Sequence, residues 1–360
     1  RGQTTPILRC PVMSAGAALH ITIRRHGAPD VLLWEAEDLP EPAPTEVRVQ
    51  VEAAGVSAYD VMLRGHRFPG FPALPYTPGE DIVGIVDKVG RDVTTLSPGQ
   101  RVGGWTFGDA GGYAQYLCRP AADLVPVPDG LAPAAAVALI VNYLTASLAL
   151  HQAAKVQPGE RLLVQGAGGG LGSALLQLGR EAGLLTYGCD AARKHDQIST
   201  DGAEPIDYKA ADVIQQSRDL TDGGADVVID LVGGARQLMR SWRALRPDGR
   251  LLMLGMAGSL RSGTGIILPS LGLLGLFAIS PGERHLVKGP GMDSYPRDNP
   301  DWYQKTLSGF FAMALKGRLA PRVAETVPMH EAARAHAMLE RGNVSGKVVL
   351  IAAENTIERV

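Results

Sequence analysis

The sequence predicts an α/β protein with a β-rich first part and a doubly wound parallel sheet in its second part. Two observations support this prediction. From residue 18 to about residue 142, short strand patterns lie between turns that contain proline and glycine. From residue 161 onward, apolar strand patterns alternate with helix patterns, which is typical of a parallel sheet that helices cover on both faces.

The first part shows the alternation of strands with one buried and one solvated face. Val47, Val49 and Val51 alternate with polar residues after a proline-rich turn. The same pattern continues in residues 18–25, 81–90, 101–107 and 114–120. Many short strands with regular turns predict a small barrel or sandwich.

The second part follows residues 131–154, which are rich in helix formers and carry Pro133 where a helix accepts proline. The predicted strands lie at residues 161–167, 184–190, 225–233 and 249–256, and the predicted helices at residues 172–183, 193–203 and 235–245. Two amphipathic helices follow at residues 298–321 and 329–342. A last strand at residues 346–352 is predicted to return to the first part, because the parallel sheet already has its strands.

Composition and charge exclude several classes of protein. The chain has 360 residues, of which 45% are apolar and 20% charged, which predicts a folded globular protein. A net charge of −2 predicts no nucleic-acid partner and no anionic membrane surface as partner. Three widely separated cysteines without a CxxC pair predict a reducing, cytoplasmic setting.

The apolar segments predict no integral membrane span, since none approaches an uninterrupted run of roughly 20 residues. Residues 265–280 come closest, but Pro269 and several glycines interrupt them, and they are predicted to form a buried strand or a helix at an interface, with membrane contact as the alternative. Residues 1–13 lack the order of a signal peptide and are predicted to be a tail outside the fold.

The glycine-rich stretch after the first strand of the second part matches a dinucleotide-binding pattern in one register only. A register that starts at Gly166 fails, because Leu171 stands where the third glycine belongs. A register that starts at Ala167 reads A-x-G-x-x-G, between a strand and a helix. Small residues there allow a tight turn, and the helix N-terminus offers N–H groups to a pyrophosphate. The predicted cofactor-binding residues are Ala167, Gly168, Gly169, Gly170, Leu171 and Gly172.

The end of the second strand gives conflicting signals about the cofactor. Asp190 stands where a carboxylate accepts hydrogen bonds from ribose hydroxyls, which favours NADH. Arg193 and Lys194 follow directly and favour the 2′-phosphate of NADPH. The residues by themselves leave both cofactors open.

Taken together, these segments resemble the medium-chain dehydrogenase/reductase superfamily, in its zinc-independent quinone oxidoreductase branch. The resemblance rests on AAGVSAYDVMLRG, YTPGEDIVGIVDKVG, GAGGGLGSALLQLGR and SGKVVLI. The segments LIVNYLTA, ARKHD, PIDY and GMAG are most similar to the vesicle amine transport protein-like group. The resemblance implies a GroES-like catalytic domain at residues 14–141 and 298–360, and a Rossmann cofactor domain at residues 142–297. It also implies a homodimer.

The resemblance further implies that the protein binds no zinc. Relatives with a catalytic zinc ion use a Cys, a His and a further Cys or Asp as ligands, and the matching positions here are Ser57, Glu80 and Val141. A single carboxylate does not build a tetrahedral zinc site. The cysteine-rich lobe that holds a structural zinc ion in some relatives is also missing.

The resemblance implies NADPH as the cofactor, with NADH as the alternative. In relatives that use NADPH, a Lys and a Tyr at the positions of Lys194 and Tyr208 embrace the 2′-phosphate, although Asp190 departs from the family pattern. Thr145 matches the threonine that contacts the nicotinamide. The remaining residues predicted to line the cofactor groove are Val232, Gly255, Met256 and Asn343.

Without a metal, the predicted reaction is hydride transfer from the cofactor to a quinone or an α,β-unsaturated carbonyl, whose developing oxyanion needs hydrogen-bond donors. The candidate donors are Ser57, Tyr59 and Tyr143, whereas Asp60 is interpreted as structural. Residues 280–302 form either a lid or a surface loop.

Two alternative functions remain open. An enoyl-thioester reductase would need a basic entrance, to which Arg64, Arg67 and Lys288 are candidates. A non-catalytic nicotinamide-binding sensor or scaffold is the second alternative, and turnover of substrate distinguishes it from both enzymes.

Overall fold

The chain folds into two main β-sheets joined by helices. The computed structural model describes residues 17–66, 72–109, 111–209, 212–255, 284–289 and 294–352, together with residues 272, 273, 275, 277 and 291. Predictions for Met256, for residues 1–13 and for most of residues 265–280 therefore lie outside the described residues.

The first sheet contains the short strands of the first part. An antiparallel ribbon, β1 (Ala17–Ile23) with β2 (Leu32–Asp38), lies beside it. The strands of the first sheet are β3 (Glu46–Val56), β4 (Asp81–Val89), β5 (Arg101–Trp105), β6 (Tyr116–Pro120), β7 (Leu124–Pro126), and later in the chain β14 (Val323–Pro328) and β15 (Lys347–Ile351). The strand order is β14-β15-β3-β4-β5-β7, and β6 also pairs with β3. Since β15 pairs antiparallel with β3, the last strand returns to the first sheet, as expected.

The second sheet is parallel and doubly wound. Its strands are β8 (Arg161–Gln165), β9 (Leu185–Asp190), β10 (Glu204–Asp207), β11 (Ala225–Asp230), β12 (Leu245–Met253) and β13 (His285–Leu286). The order β10-β9-β8-β11-β12-β13 reverses direction at β8, the place where such sheets bind dinucleotides. Between the strands lie α4 (Gly170–Glu181), α5 (His195–Thr200), α6 (Val213–Leu220) and α7 (Ala235–Ala244). The predicted fold class is therefore confirmed.

The remaining helices surround and join the two sheets. They are α1 (Ala58–Arg64), α2 (Pro133–Leu139), α3 (Val141–Ser147), α8 (Ser294–Asp298), α9 (Pro300–Leu315) and α10 (Ala332–Arg341). A π-helical segment, Leu148–Ala153, continues α3. The predicted helix over residues 131–154 is interrupted at Ile140, whose ψ of −90° separates α2 from α3.

One helical stretch in the described residues, Pro133–Ala153, is long and apolar enough to cross a membrane. Its mean hydropathy is 1.7, and 67% of its most apolar window is buried inside the protein. Because the buried core helix of a globular protein has the same length and composition, this stretch is weak evidence for a membrane span.

Three elements of the second sheet region were not predicted as secondary structure: β10, α6 and β13, of which β13 has only two residues. β10 has four residues and includes Pro205, so its pattern is too short to read as a strand. α6 buries Val213 and Ser217, one helical turn apart, and its other residues are mostly polar. β10 and α6 depend on packing against neighbours rather than on a strong local pattern.

Candidate cofactor-binding site and adjoining cleft

The glycine loop lies between β8 and α4, at the point where the strand order reverses. A Cβ atom on Gly172 would lie 2.3 Å from the carbonyl oxygen of Ala167, so packing of the helix on the loop requires this glycine. Gly169 has φ −94° and ψ 177°, a conformation open to any residue. A Cβ there would meet, among the described residues, only the oxygen of Gly166 at 3.9 Å. The open side of Gly169 is a cradle that fits a pyrophosphate.

Asp190 ties the end of β9 to this loop. Its Oδ2 accepts a hydrogen bond from the Gly168 N–H at 2.9 Å, and its Oδ1 accepts one from the Ala191 N–H at 2.7 Å. The Lys194 ammonium lies 3.5 Å from Oδ2 and is buried. A Cβ on Gly168 would collide with Lys194 Cδ at 2.3 Å, so this glycine makes room for the lysine. The Lys194 ammonium thus lies next to the Asp190 carboxylate, whose negative charge disfavours a 2′-phosphate.

Tyr208 and Asn343 also lie near this end of β9. The Tyr208 N–H donates to the Asp190 carbonyl oxygen at 3.2 Å, and 40% of the residue is exposed. The Arg193 guanidinium donates to Asn343 Oδ1 and to the Gly342 carbonyl oxygen, both at 3.3 Å. The fold thus brings together predicted residues that are 150 positions apart in the chain.

The ends of β11 and β12 complete this edge of the sheet. The Val232 N–H donates to Asp230 Oδ1 at 2.9 Å, and the Gly255 N–H donates to the Asp230 carbonyl oxygen at 3.2 Å. A Cβ on Gly166 would lie 3.2 Å from Val232 Cγ2, so Val232 lies against the glycine loop. Both predicted strand-end residues therefore lie at the same edge as the glycine loop.

Helix α3 approaches the glycine loop from the other side. Thr145 is half-buried in this helix. Asn142, one turn earlier, places its Nδ2 only 2.6 Å from where a Cβ on Gly170 would lie. Sequence reasoning missed Asn142, and the one available signal was its i,i+3 spacing to Thr145.

Ser57 caps the start of α1. Its Oγ accepts from the Asp60 N–H at 3.0 Å and donates to Asp60 Oδ2 at 2.7 Å, and its own N–H donates to the same oxygen at 2.8 Å. Glu80 Oε2 lies 3.5 Å from Ser57 Oγ. The single hydroxyl hydrogen is therefore directed at a carboxylate. This geometry does not support Ser57 as a hydrogen-bond donor to a substrate.

Asp60 is the buried end of a chain of polar side chains. Its Oδ1 accepts from the Gly79 N–H at 2.9 Å, and its Oδ2 accepts from the Tyr113 hydroxyl at 3.3 Å. Burial raises the pKa of Asp60, and the hydrogen bonds from Ser57 and Gly79 oppose this shift. The contacts hold the loop around Gly79, in agreement with a structural role for Asp60.

The chain continues from Tyr113 to a fully buried arginine. His336 Nε2 lies 3.3 Å from the Tyr113 hydroxyl, and Arg64 Nε donates to His336 Nδ1 at 3.2 Å. Arg64 also donates to the Gly27 carbonyl oxygen at 2.6 Å and pairs with Glu340. Because arginine only donates, His336 carries its hydrogen on Nε2 and directs it toward Tyr113. Every hydrogen bond in the chain then points toward Asp60.

The two tyrosines predicted as donors occupy different environments. The Tyr143 hydroxyl donates to Gln177 Oε1 at 2.9 Å, and only 2% of this residue is exposed. Gln177 in turn donates to Asp201 Oδ1 at 2.8 Å. Tyr143 therefore ties α3 to α4, and its placement does not support a role in polarising a substrate. Tyr59 is half-buried near the start of α1.

The positions that match zinc ligands in relatives do not gather a metal-binding set. Val141 offers no ligand atom, and Ser57 is engaged by Asp60. In the part of the chain that the structure describes, no group of three His, Cys, Asp or Glu side chains is placed to hold a metal ion.

A GroES-like first sheet joined to a parallel dinucleotide-binding sheet defines the class of a two-domain dehydrogenase or reductase. Two family models match: alcohol dehydrogenase GroES-like domain over residues 43–129, and zinc-binding dehydrogenase over residues 201–350. The chain belongs to the medium-chain dehydrogenase/reductase superfamily.

Its relatives include quinone oxidoreductases and vesicle proteins. A solved quinone oxidoreductase from Pseudomonas syringae is 30% identical with a TM-score of 0.80, over 93% of this chain and 99% of that one. The Escherichia coli quinone oxidoreductase complexed with NADPH is 26% identical with a TM-score of 0.82, over 93% and 100%. The synaptic vesicle membrane protein VAT-1 homolog of Rattus norvegicus is 28% identical, over 96% of this chain and 84% of its own length.

Proposed function

We propose that the protein is a zinc-independent, NADPH-dependent oxidoreductase that reduces a quinone or an α,β-unsaturated carbonyl. The open cradle at Gly169, beside the Lys194–Asp190 pair, is the observation that carries this proposal. A similar structure, the Escherichia coli quinone oxidoreductase, is complexed with NADPH, which supports the same cofactor here. Lys194, Arg193 and Tyr208 are proposed to hold the 2′-phosphate.

NADPH, when bound, supplies the hydride. The glycine loop is proposed to bind its pyrophosphate through the N–H groups at the start of α4. Thr145, Val232, Gly255 and Asn343 are proposed to line the groove around the rest of the cofactor. The third predicted donor, Tyr59, is half-buried near the start of α1, and its hydroxyl is proposed to stabilise the developing oxyanion.

The enoyl-thioester alternative loses one of its supports. Arg64, a candidate for its basic entrance, is fully buried and paired with Glu340, so it forms no part of an entrance. Lys288 is exposed, and Arg67 lies outside the described residues. A sensor or scaffold function predicts NADPH binding without turnover.

Further features stay predictions. They are the domain limits at residues 14–141 with 298–360 and at residues 142–297, the homodimer and the cytoplasmic location. The described parts of residues 280–302 include β13 and α8, and Arg297 of α8 pairs with Asp109. This contact connects that segment to the first part of the chain.

The proposal is tested by titrating the protein with NADPH and NADH, followed by fluorescence, and then adding a benzoquinone and an enone. We expect tighter binding of NADPH and acceptor-dependent oxidation. Lys194→Met is expected to weaken NADPH more than NADH. Tyr59→Phe is expected to lower kcat about 100-fold without weakening NADPH. If neither cofactor binds, the proposal fails, and binding without oxidation of the cofactor favours the sensor.

A further inference from the structure

A buried ion pair lies within the first sheet, next to the start of α3. Lys347, the first residue of β15, places its Nζ 2.8 Å from Oδ2 of Asp81, the first residue of β4. The two side chains are only 3% and 0% exposed. Burial of two charges is costly unless they are paired, so an interior pair of this kind needs an explanation.

The same carboxylate oxygen also binds α3. The Val141 N–H, at the start of α3, donates to Asp81 Oδ2 at 3.3 Å. The residue at the N-cap, Ile140, provides no side-chain hydrogen bond, so this helix start depends on a group from outside. Asp81 therefore joins β4, β15 and α3 at one oxygen atom.

The ion pair occupies space that is free because the neighbouring residue Gly55 has no side chain. A Cβ on Gly55 would lie 2.1 Å from Asp81 Oδ1 and 2.2 Å from Lys347 Cε, so only glycine leaves room for the pair here. Gly346, directly before Lys347, lies 3.4 Å from where a Cβ on Gly170 would be. The ion pair is thus close to both the start of α3 and the glycine loop.

We propose that Lys347 and Asp81 are positioning residues for hydride transfer. Thr145, the proposed nicotinamide contact, lies one helical turn after Val141, so it moves with the helix start that Asp81 holds. By fixing α3 against β4 and β15, the pair sets the position of Thr145 relative to the cofactor. This inference rests on the proposed function, because it assumes that Thr145 contacts a nicotinamide.

The alternative is a clamp that contributes only to stability. The two roles predict different kinetics. Loss of a clamp lowers the melting temperature and leaves the folded enzyme with its usual kcat. Loss of positioning lowers kcat in the folded enzyme, because a displacement of about 1 Å is enough to cost roughly 100-fold in rate.

The test uses Lys347→Met, Lys347→Arg and Gly55→Ala in the full chain, with Arg48→Met as the matched control. Gly55→Ala displaces the ion pair without removing a charge. It therefore distinguishes positioning from a purely stabilising role if Lys347→Met does not fold. Arg48 pairs with Asp87 in the same sheet, away from α3, and serves as a charge-removal control. For each folded variant, NADPH affinity, kcat and the deuterium isotope effect on kcat with 4-deuterated NADPH are measured.

We expect Lys347→Met and Gly55→Ala to lower kcat about 100-fold, to raise the isotope effect and to leave NADPH affinity unchanged. Lys347→Arg is expected to restore most of kcat, and Arg48→Met to keep it. An unchanged kcat and isotope effect in folded Gly55→Ala or Lys347→Met overturns the positioning role. Failure of the unmodified protein to bind NADPH overturns the proposed function instead.

Discussion

The glycine loop and the chain of polar side chains behind Ser57 solve opposite problems. At the loop, Gly168 and Asp190 meet across 22 positions, and among the described residues the side of Gly169 is left open. Behind Ser57, Arg64 and His336 meet across 272 positions, and the hydrogen bonds continue through Tyr113 to Asp60. A site that binds a ligand needs backbone N–H groups without a partner in the protein. A rigid polar network needs its donors to be hydrogen-bonded within the protein.

The largest effect on stability is expected from removing the charge of Arg64, which fixes the direction of the hydrogen bonds from His336 to Asp60. Arg64→Met leaves Glu340 without its partner and His336 without its donor, so we expect a loss of about 3–5 kcal/mol in the free energy of unfolding. Urea denaturation measures this loss. Arg24→Met, which breaks an exposed pair with Glu35, serves as the control and is expected to change nothing measurable. A loss for Arg64→Met as small as that of the control contradicts the comparison.

The second effect concerns pH. Burial, and then the nearby charge of Arg64, lower the pKa of His336 to about 3, from 6.5. Between these values the unfolded chain binds a proton at His336 that the folded protein excludes. The contribution of neutral, buried His336 to the free energy of unfolding is therefore complete above pH 6.5, and it is lost as the pH falls toward 3.

The variant His336→Gln does not titrate but keeps an acceptor for Arg64 and a donor for Tyr113. We expect the free energy of unfolding to depend less on pH in this variant, by up to about 1.4 kcal/mol per pH unit between pH 6 and pH 4. Urea denaturation at several pH values measures the two slopes. Equal slopes would show that His336 is not held neutral by its surroundings.

The local pattern was sufficient to predict the glycine loop and the doubly wound sheet. The loop, its preceding strand and its following helix are contiguous, so periodicity and glycine spacing indicate them directly. Asp190 and Lys194 are also close in sequence, but only the structure shows that the lysine lies next to the carboxylate. Local sequence thus predicted the glycine loop itself, whereas neighbours from distant parts of the chain, such as Asn142, became visible only in the structure.

The roles of individual polar groups in the cleft were not predictable in this way. Whether Ser57 donates outward depends on Asp60, whose partners Tyr113 and Gly79 come from other elements. Tyr143 carries the same hydroxyl as Tyr59, but its partner Gln177 lies on a different helix. A residue type at a family position predicts that a donor is present, and only the surrounding contacts determine where its hydrogen points.

The sharpest test of the open cradle compares two glycines three positions apart, of which only one is expected to affect stability. Gly172→Ala places a Cβ 2.3 Å from the Ala167 carbonyl oxygen, so we expect both the melting temperature and NADPH affinity to fall. Gly169→Ala meets no such obstacle and has an ordinary backbone conformation, so we expect an unchanged melting temperature. Its methyl group nevertheless occupies the space proposed for the pyrophosphate, and NADPH affinity is expected to fall about tenfold or more. Calorimetry of both variants, without and with NADPH, separates the need for glycine in packing from the need for glycine in cofactor binding. A Gly169→Ala variant that binds NADPH normally would show that the cofactor does not approach the backbone there.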